Sequence, residues 1–191
     1  MEIYLDNSAT TKPYQEVVDK MVLALTTQYG NPSSIHKKGI EVEREIKEIR
    51  RNIARSLGAK ENEIYFTSGG TECNNTIIRS VARLNKKTKN HIISTVIEHP
   101  SVLDTLKDLE SEGFEVTYLP VDKDGKISIE DLKNAIKKET ILVSIMHVNN
   151  EIGTIQPIEE IGKYLKSLDE KIYLHVDAVQ SYAKIKFRPS R

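Results

Sequence analysis

The sequence predicts an α/β fold: a mainly parallel sheet with helices on both faces. From about residue 60 onward, short β-rich runs alternate with helical patterns, the order of events expected of strand–helix–strand crossovers. The intervening stretches are amphipathic. Val102, Leu103, Leu106 and Leu109, and later Ile158, Ile161, Leu165 and Leu168, recur three or four apart, so each stretch has one apolar face to lay on a sheet. The β-rich runs are residues 64–67, 91–96, 115–119, 141–148 and 172–176.

Upstream of these, Pro13 sits where a first helical turn accepts it, and Gly30 followed by Asn31-Pro32 stops that helix. A second helix follows, in which Ile46, Ile49, Ile53 and Leu57 make an apolar stripe and EREIKEIRR a charged outer face. Gly58 is placed to cap its end. The segment VDKDGK around Asp124-Gly125 has tight-turn chemistry. It lacks the further oxygen ligands, with a glutamate at the twelfth position, that a calcium loop of the EF-hand kind requires.

At 191 residues the chain suits one domain, since domains run about 100 to 200 residues. Basic and acidic side chains balance at 28 each, which argues against nucleic acid as a partner. The longest apolar run, residues 141–146 broken only by Ser144, falls well short of the roughly 20 residues that cross a bilayer. The opening MEIYLDNSATT lacks the basic start and apolar stretch of a secretory signal, and Cys73 is the lone cysteine; both lead us to expect a reducing cytoplasm.

In open parallel sheets, ligands bind beyond the carboxyl ends of the strands. The residues there are polar: TSGGTE after the first run, Ile97-Glu98-His99 after the second, NNEIG after the fourth and Asp177 after the fifth. Glycines let a backbone approach a ligand, and a helix start presents unpaired N–H groups to an anion, so TSGGTE suits a phosphate. It is equally a turn with a capping threonine, and it is neither a Walker loop nor GxGxxG. His99 by itself reads as a hydrogen-bonded or exposed strand-end histidine, and Asn149-Asn150 as a turn. Asp177 ends an apolar run, so if buried it needs a cationic or hydrogen-bonding partner, which a protonated ring nitrogen would supply. Cys73 is a small residue in a first helical turn, and His36, His147 and His175 lack the paired spacing of a metal site.

YLDNSATT, YGNPSS-H at residues 29–36, FTSGGTE, Glu98-His99, SIMHVNNEIGTIQP and HVDAVQS, in this order and spacing, resemble the NifS and IscS-like cysteine desulfurases. These belong to the aminotransferase class V branch of fold type I pyridoxal-phosphate enzymes. The resemblance implies the large domain of that fold, with residues 1–30 an N-terminal segment and helix and residues 31–191 an incomplete domain that binds pyridoxal 5'-phosphate. By position, the family's phosphate contacts fall on Gly70 and Thr71. Its ring-stacking and proton-transferring histidine falls on His99, the asparagine near the ring oxygen on Asn150, the aspartate paired with the pyridine nitrogen on Asp177, and the glutamine bonding the ring oxygen on Gln180. Segments 7–10 and 31–36 match motifs near the substrate.

The implied reaction takes L-cysteine to L-alanine and an enzyme persulfide. In the family, homodimers pass that sulfur to scaffold or acceptor proteins for iron–sulfur clusters or thio-cofactors. Two family groups have no match in residues 1–191: the Schiff-base lysine, some twenty residues past HVDAVQS, and the sulfur-accepting cysteine, a position that Cys73 does not match. The chain is therefore expected to be inactive by itself. The competing readings are a selenocysteine lyase or another member of the branch, a non-catalytic fragment that keeps a phosphate- or partner-binding surface, and a nucleotide-binding α/β domain. The last is disfavoured because no acidic residue is suitably placed to hold a ribose.

Overall fold

The structure, a computed structural model, describes residues 2–189. The chain divides into two compact units, Met1–Phe66 with Phe187–Arg191, and Thr67–Lys186.

The first unit contains helices α1 (Gln15–Thr26) and α2 (Lys37–Leu57) and a single 3-10 turn, Glu61–Glu63. Pro13 precedes α1 rather than entering its first turn, because Tyr14 is the N-cap; the helix ends at Thr26, short of Gly30. No residue of α1 is buried. α2 is built from strong helix formers and laced by pairs such as Lys47–Glu43 at 2.6 Å. His36 caps its start, Nδ1 accepting the Gly39 N–H, and Gly58 closes it in the left-handed region at φ 66°, a conformation that suits glycine. Of the expected stripe, Ile46, Ile53 and Leu57 are half-buried and Ile49 is exposed. Residues 64–67 form no strand. Ile64 has extended dihedrals, φ −98° and ψ 122°, but no neighbouring strand among the described residues pairs with the segment.

The second unit is a four-stranded, all-parallel sheet in the order β2-β1-β3-β4. Its elements are α3 (Gly70–Asn85), β1 (His91–Thr95), α4 (Pro100–Ser111), β2 (Glu115–Leu119), α5 (Ile129–Ala135), β3 (Thr140–Ser144), α6 (Ile158–Lys166) and β4 (Tyr173–His175). Successive strand side chains point to opposite faces, which the two cores display. Ile92 and Leu142 pack with Ile78 and Ala82 of α3 and Val102, Leu106 and Leu109 of α4. Ile93 and Val143 pack with Leu132 of α5 and Ile161 and Leu165 of α6 on the other side. Helices therefore cover both faces, as expected.

The run 141–148 is longer than β3 because its end turns into a hairpin. Val148 bridges Ile155 antiparallel, and the Asn149 N–H donates to the Thr154 carbonyl. The turn at 122–126 is held by Asp122, whose Oδ1 accepts the N–H groups of Asp124 and Lys126. From β1 the chain goes to β2 on one side, then crosses over to β3 and β4 on the other. The carboxyl ends of β1 and β3 thus flank the point where strand order reverses, where open sheets of this kind leave a crevice. Among the described residues, no helix is long and apolar enough to cross a membrane.

Candidate cofactor site

Four segments meet at the carboxyl end of the sheet: the start of α3, the turn from β1 into α4, the hairpin after β3 and the turn after β4. Each is shaped by local hydrogen bonds.

At the start of α3, no side chain caps the helix, because the N-cap is Gly69. Ser68 instead donates its N–H and its hydroxyl to Glu72 Oε2, both at 2.6 Å, and these bonds hold the Glu72 carboxyl below its ordinary range. A Cβ on Gly70 would lie 2.9 Å from Val179 Cγ2. Glycine is what permits the helix start to approach the turn after β4 this closely, and so Gly70 sits beside Val179.

His99 is the N-cap of α4, followed by Pro100 in the first turn, where proline's missing N–H and fixed φ suit it. His99 Nδ1 accepts the Ser101 N–H at 3.1 Å and lies 2.8 Å from Ser101 Oγ. The histidine is therefore a structural cap, and its ring is otherwise exposed.

Asp177 is buried. Its Oδ1 accepts the Val179 N–H at 3.0 Å and its Oδ2 the Asn74 side-chain amide at 2.8 Å, while its carbonyl accepts the His147 N–H and so extends the β3–β4 ladder. No ion pair among the described residues involves Asp177. A buried carboxylate served by neutral donors alone favours a cationic partner, and a protonated aromatic nitrogen fits that requirement. Gln180 lies in the same turn, with Lys184 Nζ 3.4 Å from its Oε1.

Asn150 stands on a separate arm, the tip of the 147–156 hairpin. Its neighbour Asn149 anchors that arm: Nδ2 donates to the Ile97 carbonyl at 2.9 Å, and Oδ1 accepts the N–H groups of Glu151 and Ile152. Gln156, also buried, ties the hairpin to the 121–127 loop, accepting the Ile127 N–H and donating to the Gly125 carbonyl.

The structure thus brings Gly70, Thr71, His99, Asp177 and Gln180 to one end of the sheet, with Asn150 on the adjoining hairpin. Sequence reasoning missed the residues that join them. Asn74 is a carboxamide on the buried stripe of α3, at i+4 spacing with Ile78 and Ala82. That polar interruption of an apolar face was the available signal. Ser101 is hidden in the same way in the first turn of α4. Glu98, which precedes His99 in its motif, is buried with Oε1 accepting from Thr95 Oγ1 and the Met146 N–H.

The site's histidines and cysteine differ in character. Burial pushes His175 down to about 4, opposed by the Asp177 charge, and its Nδ1 lies 2.9 Å from Ser144 Oγ. Burial, then the negative charges of Asp177 and Glu72, push the Cys73 thiol up, away from the thiolate that a nucleophile needs.

A sequence profile described as "Aminotransferase class-V" matches residues 3–191. The chain is 52% identical over 183 residues to the cysteine desulfurase IscS of Methanosarcina thermophila, covering 96% of this chain and 45% of that protein. It is 53% identical over 184 residues to the mitochondrial cysteine desulfurase of Candida albicans, covering 96% and 37% respectively. The chain thus spans about half the length, or less, of the curated relatives it matches. A solved NifS-like protein superposes with a TM-score of 0.95 at 43% identity, covering 98% of this chain and 52% of that one. A structure described as SspA in complex with cysteine gives 0.92 at 40%, covering 97% and 53%. With a parallel sheet whose switch point carries these residues, and a profile match along almost its whole length, the chain belongs to the aminotransferase class-V family.

Proposed function

We propose that the chain is the cofactor-binding part of a pyridoxal 5'-phosphate-dependent cysteine desulfurase. The observation that carries this is Asp177, a buried carboxylate with neutral donors only, set beside an uncapped helix start at Gly70. One end of that arrangement suits a cationic ring nitrogen and the other a phosphate.

In this reading the N–H groups at Gly70 and Thr71 and the Thr71 hydroxyl hold the phosphate. His99 lies on the ring and keeps water from that face. Asp177 holds a proton at the ring nitrogen, while Asn150 and Gln180 bond the ring oxygen. When bound, the cofactor supplies the electron sink for bond cleavage at the substrate's amine-bearing carbon. The substrate is L-cysteine and the products are L-alanine and a sulfur atom transferred to a protein cysteine. The names of the relatives, cysteine desulfurases in an archaeon and a yeast, favour this over a selenocysteine lyase. A homodimer in the cytoplasm that hands sulfur to an acceptor protein completes the proposal.

Residues 1–191 include no match to the family's covalent lysine or its sulfur-accepting cysteine. The chain by itself should therefore bind the cofactor non-covalently and leave L-cysteine unconverted. Incubating purified chain with cofactor and L-cysteine, and assaying L-alanine, tests this. A rate above that of free cofactor would overturn the proposed division of roles.

A further inference from the structure

Asn74 is 4% exposed, and both hydrogens of its Nδ2 have acceptors: Asp177 Oδ2 at 2.8 Å and Ser101 Oγ at 3.0 Å. An ionised carboxylate only accepts, so the amide must turn its NH2 group toward Asp177. Ser101 Oγ, having accepted from Asn74, has one hydrogen left to give, and His99 Nδ1 lies 2.8 Å away. The Ser101 backbone N–H points at the same nitrogen. With two donors aimed at it, Nδ1 carries no hydrogen, and the ring N–H is on Nε2. The direction of each bond follows from its neighbour.

We propose that Asn74 and Ser101 are positioning residues. They form a one-way polar relay in which the amide donates to Asp177 and to Ser101, and Ser101 donates to His99, holding the histidine in its Nε2–H tautomer. The relay spans α3, the start of α4 and the end of β4, three elements far apart in sequence. It locates the residue proposed to lie on the cofactor ring relative to the residue proposed to face its nitrogen. In this respect it rests on the functional reading above. The tautomer does not, because it is set by bonds within the protein.

This separation decides the test. The full chain, 15N-labelled at histidine, is studied by two-bond 15N–1H correlation, with His99 assigned by comparison with His99→Gln. Wild type and Ser101→Thr should show an unprotonated Nδ1. Ser101→Ala leaves on Nδ1 only the longer backbone bond, 3.1 Å against the hydroxyl's 2.8 Å, and so should hold the tautomer less tightly and bring the two nitrogen signals toward each other. Asn74→Asp, which gives the Ser101 hydroxyl a carboxylate to bond, should turn that hydroxyl away from His99 and, like Ser101→Ala, leave Nδ1 with the backbone N–H alone. Should Asn74→Asp fail to fold, the Ser101 alanine and threonine variants still decide the outcome.

Binding of pyridoxamine 5'-phosphate is measured on the same samples, and Ser101→Ala should weaken it about tenfold, the size expected for one lost bond in a charge-assisted network. An identical His99 tautomer in every variant, or a wild-type Nδ1–H, would overturn the relay whatever the ligand does. A relay confirmed by tautomer in a chain that does not bind the phosphate ligand would support this inference and sink the functional reading alone.

Discussion

Replacing Glu98 with glutamine should stabilise the chain at alkaline pH and leave it nearly unchanged at acid pH. Glu98 is 5% exposed and links the ends of β1 and β3. Oε1 accepts at 2.8 Å from Thr95 Oγ1 and at 3.0 Å from the Met146 N–H, whereas Oε2 is buried without a hydrogen-bond partner among the described residues. Burial pushes this carboxyl from 4.5 up to about 7, against the two donated bonds and with some help from the Asp177 charge.

The sign follows from the direction of the shift. The folded chain holds the Glu98 proton more tightly than the unfolded chain. The contribution is therefore fully present below 4.5 and is lost as pH rises through about 7, a change of about 3 kcal/mol if no other group responds. Glutamine keeps the acceptor at Oε1 and cannot ionise. Urea unfolding followed by circular dichroism, at pH 5, 6, 7 and 8, reads the difference between variant and wild type. That difference should climb in favour of Glu98→Gln by up to about 3 kcal/mol, most steeply between pH 5 and 7. A difference that stays constant with pH would refute the reasoning, because it would mean that Glu98 ionises as easily folded as unfolded.

His175 should give the opposite limb. Burial lowers it to about 4, so its contribution is present above the ordinary histidine range and is lost as pH falls from 6.5 through about 4; His175→Asn should flatten the acid side of the stability curve measured by the same assay. In the first unit, Gly39→Ala would put a Cβ 2.3 Å from the Ser34 carbonyl oxygen and 2.6 Å from that of Asn31. Neither backbone atom can move cheaply, so a loss of about 2 kcal/mol or more is expected, with faster proteolysis within residues 31–39. An unchanged melting temperature would show that this turn yields easily.

How far the fold could be read depended on whether a signal was local. The strand expected at 115–119 matches β2 to the residue and that expected at 91–96 matches β1 to within one, because each is a compact apolar or β-branched run with an adjacent partner. Residues 64–67 have the same composition, and Ile64 adopts extended dihedrals, but composition reports only what the backbone can adopt; a strand also needs a ladder. In 141–148 the apolar run continues past β3 because it feeds the buried first arm of a hairpin, residues 145–147, which burial alone does not distinguish from a strand.

The candidate site divides the same way. His99 and Asp177 stand at strand ends, and the rule about strand ends finds them. Asn74 and Ser101 find their partners 103 and 27 residues from Asn74; a polar residue on an apolar helix face signals a buried amide but not what it bonds. The glycine at 70 could be read as a ligand approach, and the structure adds a second reason for it, the nearness of Val179.

Asp177 and the start of α3 are proposed to form a non-covalent seat for a phosphorylated pyridine. Calorimetric titration with pyridoxamine 5'-phosphate tests it most directly, because that ligand has no aldehyde to react with surface lysines. Binding to the wild-type chain should be saturable and one-to-one, and should be lost in Asp177→Ala with the far-ultraviolet spectrum preserved. Equal binding by the two proteins, or none by the wild type, would contradict it.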